Sequence, residues 1–197
     1  MKCLLALGAL AMASASLLAQ DQAPEAAVHQ NFASGGTIHL HLQAGGYTIT
    51  PSDSEIIVVT CQARTDRQLK SVKVSIKPAG IRADVYVLNT PNSNFTATIQ
   101  VPRRSDLWVR LTAGELDVGS VEGSKDLALN AGSLKVDIPR PQEYGEREAS
   151  VTTGSIESSA FDVSKGGLFR SFSQHGPGKY RLHARVIAGE IILRGGI

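Results

Sequence analysis

Apolar and polar residues alternate along most of this chain, which is the pattern of β-strands whose two faces meet different surroundings. In the central unit the apolar positions alternate from Leu107 to Leu111, skip residues 112–115 and resume at Leu116 on the opposite parity. A change of parity indicates that the chain turns or bulges between two strands that both bury their apolar side chains. The pattern therefore predicts pairs of strands joined by a corner.

The same unit recurs along the chain, each time with a glycine three residues after the last apolar position. Glycine can adopt the positive φ that such a corner needs without the steric cost that a Cβ imposes. Repetition of one unit, although unevenly spaced, predicts stacked neighbours that share a continuous core. The predicted structural corner residues are Gly45, Gly114, Gly132, Gly154, Gly166 and Gly189.

The remaining segments also have strand character. Alternation before and after residues 77–80 predicts a β-hairpin within 72–87, and residues 95–101 predict a further strand. Residues 139–145, which hold two prolines and a glycine, are expected to form a surface excursion. No segment from 35 to 197 keeps helical spacing over the roughly ten residues that a typical helix needs.

The N-terminal segment differs from the rest in composition. Lys2 precedes an uncharged apolar run, residues 4–18, and small residues then offer cleavage sites. These features predict a signal peptide at residues 1–19, a flexible linker at 20–34 and one domain at 35–197. A retained membrane anchor is the less favoured interpretation, because the run is shorter than the ~20 residues that span a bilayer. The protein is therefore expected to be exported: periplasmic, on the outer surface or secreted.

Charge and cysteine content exclude some classes of function. The chain has 20 Lys plus Arg against 18 Asp plus Glu, and it has no long basic cluster, so we expect no nucleic-acid partner. Loss of Cys3 with the signal peptide leaves only Cys61, which excludes an internal disulfide and a cysteine-based zinc site. Because Cys61 ends an apolar run, we expect it to be a buried small apolar residue and not a reactive thiol.

Two groups of residues are candidates for chemistry. His39 and His41 lie two apart on a predicted strand and share one face, but two ligands do not make a zinc site and no third is marked by spacing. A solvated face is therefore the favoured interpretation of these histidines, and also of His175 and His183. Carboxylates near the corners could line up for calcium or for glycoside chemistry, although the calcium-repeat motif is absent and a solvated face is again favoured. These carboxylates are Glu115, Asp117, Glu122, Asp126 and Asp137. We predict no catalytic, cofactor-binding or metal-binding residues.

Several short motifs, in their order and number, carry a resemblance to a known family. They are AGELDV at 113–118, AGSL at 131–134, TGSI at 153–156, GPG at 176–178 and AGEIIL at 188–193. Together with the signal peptide they resemble the bacterial putative-adhesin family of β-strand-repeat envelope proteins. The resemblance implies an all-β, irregular right-handed β-solenoid-like fold at the cell envelope, and it carries over no catalytic residues.

The sequence leaves three functions open. The favoured one is a non-enzymatic envelope protein that acts as an adhesion, scaffold or surface-binding module, with an envelope polymer or a membrane-associated protein as partner. The second is a polysaccharide-active enzyme, because β-helices also hold sugar-cleaving sites, although only ten aromatic residues are present and they are scattered. The third is an envelope-stress accessory protein that binds a membrane partner. The oligomeric state is left open.

Overall fold

The computed structural model describes residues 25–196, and this part of the chain is all-β with one short helix and one 3-10 turn. The signal peptide prediction and residues 20–24 of the predicted linker lie outside the described residues. The strands are β1 Glu25–Asn31, β2 Thr37–Leu42, β3 Gly45–Ser52, β4 Ile56–Gln62, β5 Lys73–Ala79, β6 Arg82–Leu88, β7 Thr96–Pro102, β8 Asp106–Val118, β9 Lys125–Ile138, β10 Tyr144–Ser158, β11 Val163–His175 and β12 Tyr180–Gly195. The helix α1 is Asp66–Ser71, and the 3-10 turn is Pro141–Glu143.

The strands belong to one sheet whose main path runs β1-β4-β7-β3-β8-β9-β12-β10-β11. β8, β9, β12 and β10 are parallel neighbours, and β11 closes this end of the sheet as the antiparallel partner of β10. β2 and β3 both lie beside β8, each against one half of it. β6 pairs with β2, and β5 pairs with β6 as the predicted hairpin, which is confirmed.

Each long strand buries its apolar side chains on both sides of a corner. In β8, Leu107 and Leu111 are 2 % exposed before the corner, and Leu116 is 1 % exposed after it. The strand continues through the corner because Gly114 has φ +122°, outside the range that residues with a Cβ readily adopt. The predicted change of parity is therefore a bend inside one long strand.

The corner glycines form a row that crosses the sheet. In the strand registers Gly45 lies opposite Gly114, which lies opposite Gly132, which lies opposite Gly189, which lies opposite Gly154. The five φ angles range from +122° at Gly114 to +153° at Gly45. The row ends on β11 at Gly167, which pairs with Gly154 and has φ +116°.

Gly166, the predicted corner residue, pairs with Ser155 and has no positive φ, so the corner lies one residue later than predicted. The reason is that β11 is antiparallel and meets the row from the opposite direction.

Two other predicted segments differ from the structure. Residues 25–31 of the predicted linker form β1, which pairs with β4, and Phe32 is only 5 % exposed. The predicted excursion at 139–145 is shorter, because Tyr144 is 4 % exposed and begins β10 together with Gly145. A Cβ on Gly145 would meet the carbonyl oxygen of Gly178, so this glycine lies in a close contact between two segments of backbone.

The helix α1 was not predicted. It has only six residues, too few to show a helical period, and it begins where the side chain of Thr65 accepts a hydrogen bond from the backbone N–H of Gln68. None of its residues is buried. The helix connects β4 to β5 across the surface, and its partly buried Leu69 packs against the core.

Candidate functional site

Three neighbouring strands present a common outward surface. Ile38 and Leu40 of β2 face the core and are fully buried, so His39 and His41 face outward. The registers place Asp84 and Tyr86 of β6 on one side of these histidines and two residues of β8 on the other. We call this surface the histidine–aromatic face. Its members are Asp84, Tyr86, His39, His41, Trp108 and Arg110.

Ring stacking orders the side chains of this face. The ring of His41 stacks on Tyr86 with centroids 4.5 Å apart and planes inclined by 6°. His39 stacks on Trp108 at 5.0 Å, and the guanidinium carbon of Arg110 lies 3.8 Å from the centroid of the same indole. Stacked rings and a cation over an aromatic face each stabilise one arrangement of these side chains. The face is therefore an organised surface and not a set of independent side chains.

The charge at one end of the face centres on Asp84. Arg82 Nη2 donates a hydrogen bond of 2.7 Å to Asp84 Oδ1, and this bond lowers the pKa of the Asp84 carboxyl. The same oxygen lies 3.8 Å from His39 Nδ1 and 3.7 Å from His41 Nε2. Partial burial, followed by the neighbouring Arg82, lowers the pKa of His39 below its usual 6.5. At neutral pH the site therefore holds a carboxylate beside a neutral His39 imidazole.

Outward polar residues continue from the histidine–aromatic face onto the strands beyond β8. Arg110 Nη1 lies 2.9 Å from Asp126 Oδ1 on β9, and the same oxygen lies 3.6 Å from His183 Nδ1 on β12. Opposite charges on directly neighbouring strands contribute modestly to sheet stability. They also extend the outward polar surface across five parallel strands, from β6 to β12.

The four histidines that the sequence analysis considered lie in different surroundings in the structure. His39 and His41 lie together, and Asp84 supplies the third neighbouring ligand atom that the spacing did not reveal. His183 lies apart from this cluster, beside Asp126, and His175 is exposed at the end of β11. Among the described residues, only His39 and His41 therefore belong to a cluster of three candidate metal ligands.

The five carboxylates near the corners do not converge on one site. Asp117 and Asp137 both pair with Arg194, at 2.5 Å and 2.7 Å, and Glu122 pairs with Arg140 at 2.6 Å. These ion pairs occupy three of the five, and Asp126 belongs to the row that continues the histidine–aromatic face. Glu115 is exposed and lies opposite Ser133 in the register.

A buried lysine lies near the start of β9. Lys125 is 2 % exposed, and its Nζ donates to the carbonyl oxygens of Val121 at 2.7 Å and Gly123 at 3.2 Å, and to the hydroxyl of Tyr144. Burial lowers the pKa of Lys125 to about 8, although the nearby Asp106 and Glu122 oppose this shift. No sequence pattern marked this group as buried, because lysine side chains are usually exposed.

Cys61 is 1 % exposed, and burial raises the pKa of its thiol to about 11. A protonated buried thiol is a poor nucleophile. Its environment fits the predicted small apolar residue.

Sequence reasoning missed Asp84, Tyr86 and Trp108 as parts of a site. Each occupies a polar position of an alternating strand, so the outward direction of each was available from the pattern. Their proximity to the histidines depends on β2 lying between β6 and β8 in a particular register, which the alternation does not specify.

The comparison with known proteins concerns the fold. A solved structure of a putative cell adhesion protein from Clostridium sporogenes is similar over 87 % of this chain and 100 % of its own, with a TM-score of 0.56 and 11 % sequence identity. Putative adhesins from Bacteroides fragilis and Parabacteroides merdae match at TM-scores of 0.32 and 0.28, too low to carry an argument. No family model matches, and no curated protein matches. Within residues 25–196, no helix has the length and apolar character needed to cross a bilayer. At this identity the first likeness establishes a shared all-β fold with that structure.

Proposed function

We propose that this protein is a non-enzymatic, exported envelope protein that binds a surface polymer through the histidine–aromatic face. The observation that carries the proposal is the outward row of rings and charges held in register on parallel strands. Tyr86 and Trp108 supply apolar ring surface, while Asp84 and Arg110 supply hydrogen-bonding groups beside it. This combination suits a polymer that presents both hydroxyl groups and apolar ring faces.

Repetition along the sheet supports a polymer as the ligand. Outward polar residues continue from β8 onto β9 and β12 through Asp126 and His183, so successive units of a chain could meet successive strands. Several weak contacts joined along one polymer can exceed the affinity of a single contact by ~10²–10⁴. An adhesion or scaffold role needs this kind of distributed binding.

The arrangement of carboxylates favours binding over hydrolysis of the polymer. A glycosidase needs two carboxyl groups about 5–9.5 Å apart across a sugar, one of them able to donate a proton. Asp117 and Asp137 instead share the cation of Arg194, so both carboxylates are engaged in ion pairs at the sheet surface. The proposed function therefore assigns these groups to the sheet surface and not to catalysis.

The finer fold class belongs to the same proposal. We infer a β-solenoid-like stack of right-handed units, supported by the row of corner glycines and by four parallel neighbours in one register. The similar structure from Clostridium sporogenes is named as a putative cell adhesion protein, and an exported or surface location for this chain is consistent with that name.

A pull-down with insoluble peptidoglycan and with beads carrying acidic or neutral polysaccharides tests the function. We expect the purified protein to be retained on at least one polymer, with no new reducing ends or unsaturated products in the supernatant. Polymer turnover would contradict the non-enzymatic function. Absence of retention on every polymer would contradict polymer binding.

Matched variants test whether the histidine–aromatic face is the binding surface. Trp108→Ala removes the largest ring of the histidine–aromatic face, whereas Gln100→Ala changes an exposed residue of β7 outside this face. Loss of one stacked aromatic ring costs on the order of 1 kcal/mol, or about fivefold in affinity. We expect weaker retention for Trp108→Ala and unchanged retention for Gln100→Ala. Equal retention of the two variants would contradict this location.

A further inference from the structure

Two histidines and an aspartate converge at one end of the histidine–aromatic face. The alternation of β2 places His39 and His41 on the same side, and the parallel register with β6 places Asp84 beside His39. The candidate ligand atoms, one from each residue, lie within 4.8 Å of one another. We propose that His39, His41 and Asp84 bind one divalent transition-metal ion of the zinc class.

The distances fit a metal better than they fit direct hydrogen bonds. Asp84 Oδ1 lies 3.8 Å from His39 Nδ1 and 3.7 Å from His41 Nε2, whereas a hydrogen bond between nitrogen and oxygen spans about 2.7–3.2 Å. Two ligands on a tetrahedral zinc, with bonds of about 2.0–2.2 Å, stand about 3.3 Å apart. The three ligand atoms lie within 4.8 Å of one another, so side-chain rotations that draw them together by about 1.5 Å or less would give this spacing.

One ligand atom lacks a partner within the described part of the chain. His41 Nε2 is shielded from solvent and makes no hydrogen bond there, although its ring is held by stacking on Tyr86. A shielded polar atom without a partner is unfavourable, because it has lost its hydrogen bonds to water. A metal ion between His41 and Asp84 would satisfy this nitrogen.

The ligand chemistry selects the class of ion. Two imidazoles with one carboxylate suit zinc and the neighbouring transition metals, whereas calcium and magnesium prefer sites made entirely of oxygen. Three protein ligands leave a fourth position on zinc for water or for an external ligand. The site lies near the surface, since the side chains of His41 and Asp84 are 33 % and 17 % exposed.

Arg82 is the main competitor for Asp84. Its Nη2 lies 2.7 Å from Asp84 Oδ1, but the arginine side chain is 51 % exposed, and ion pairs exposed to solvent contribute little to stability. Release of Arg82 to solvent is therefore a small cost of metal binding. Removing the arginine should strengthen metal binding, which is the opposite of the effect expected from removing a ligand.

Titration calorimetry of the tag-free protein with ZnCl₂ tests the site. We expect one zinc ion per chain, about tenfold or more weaker binding for His41→Ala and Asp84→Asn, and tighter binding for Arg82→Ala. His183→Ala is the matched control, because this histidine also faces an aspartate but lies outside the cluster. CaCl₂ is expected to give no comparable binding.

Trp108 provides a second readout that needs no added label. It is the only tryptophan of the chain, and its ring lies 5.0 Å from His39 and 5.2 Å from His41 between centroids. Zinc should therefore change the tryptophan fluorescence with the same stoichiometry as the calorimetric signal. Absence of zinc binding, or equal affinity of the wild type, Asp84→Asn and Arg82→Ala, would overturn the proposal. This test uses no polymer, so its outcome is independent of the proposed function.

Discussion

The backbone of Gly132 lies directly against the carbonyl oxygen of Gly114 on the neighbouring strand, so close that no side chain fits between them. The same relationship recurs between Gly189 and Gly132 and between Gly154 and Gly189. At this row the strands β8, β9, β12 and β10 approach one another where a Cβ would meet the backbone of the neighbouring strand. Close approach, together with the positive φ, explains why the corner requires glycine.

Gly132→Ala should lower the free energy of unfolding by more than ~2 kcal/mol, since strain at φ +129° adds to a clash with backbone. Gly166→Ala is the control, because a Cβ there meets nothing within 4 Å and the residue has no positive φ. Urea denaturation of both variants measures the difference. Equal midpoints for the two variants would contradict the structural role of the glycine row.

Phe32→Ala should destabilise the protein by about 3 kcal/mol, because the ring is 5 % exposed and its removal leaves a cavity. Phe169→Ala should change the stability by less than about 0.5 kcal/mol, because that ring is 80 % exposed. Thermal or urea unfolding distinguishes the two variants. If Phe32→Ala leaves the stability unchanged, that result would contradict the packing of this segment and support the flexible linker predicted for residues 20–34.

Lys125 should make the stability depend on pH in the alkaline range. Burial lowers its folded-state pKa to about 8, below the unfolded value of 10.5, so between these values the unfolded state binds more protons. The free energy of unfolding should then rise with pH, by about 2 kcal/mol between pH 7.5 and 9.5 from this group alone. Urea unfolding of the wild type and Lys125→Met across this range isolates the effect. The difference between them must shift in favour of the wild type as the pH rises, and a constant difference would contradict the shifted pKa.

Export stays a prediction from the sequence. A bacterial host that exports the protein should cleave it between Ala15 and Asp21, which removes Lys2 and Cys3. Intact-mass measurement of the exported protein gives the cleavage point. A species that retains Met1 would contradict both the signal peptide and the expected loss of Cys3.

Local features of the fold were predictable where a physical requirement of the backbone leaves a short pattern of residues in the sequence. The parity change around Gly114 and Gly132 identified both the bend and the residue that permits it. The same reasoning failed at Gly166, because β11 runs antiparallel to β10. The adjacent glycines 166 and 167 do not show the direction of this strand, and so they do not show which of them lies opposite Gly154. It also failed at β1, which pairs with the apolar strand β4 although its own residues show no clear alternation.

The candidate site was predictable only in part. Spacing placed His39 and His41 on one face, but the third ligand atom comes from β6, which is distant in sequence and becomes a neighbour through a parallel ladder. Parallel pairing between distant strands is fixed by the packing of the whole sheet, and no local pattern records it. The buried Lys125 was missed for a related reason, since its hydrogen-bond acceptors are a loop and the start of another strand.

The position of β12 between β9 and β10 has a consequence for the order in which the molecule can assemble. β10 and β11 precede β12 in the sequence, yet β10 joins the parallel stack only through β12. While the chain is being synthesised, one edge of the β10–β11 pair therefore stays unpaired until β12 is available. A chaperone or a delay in translation at this stage would act on that open edge, and the first half of the sheet, from β1 to β9, could already be in place.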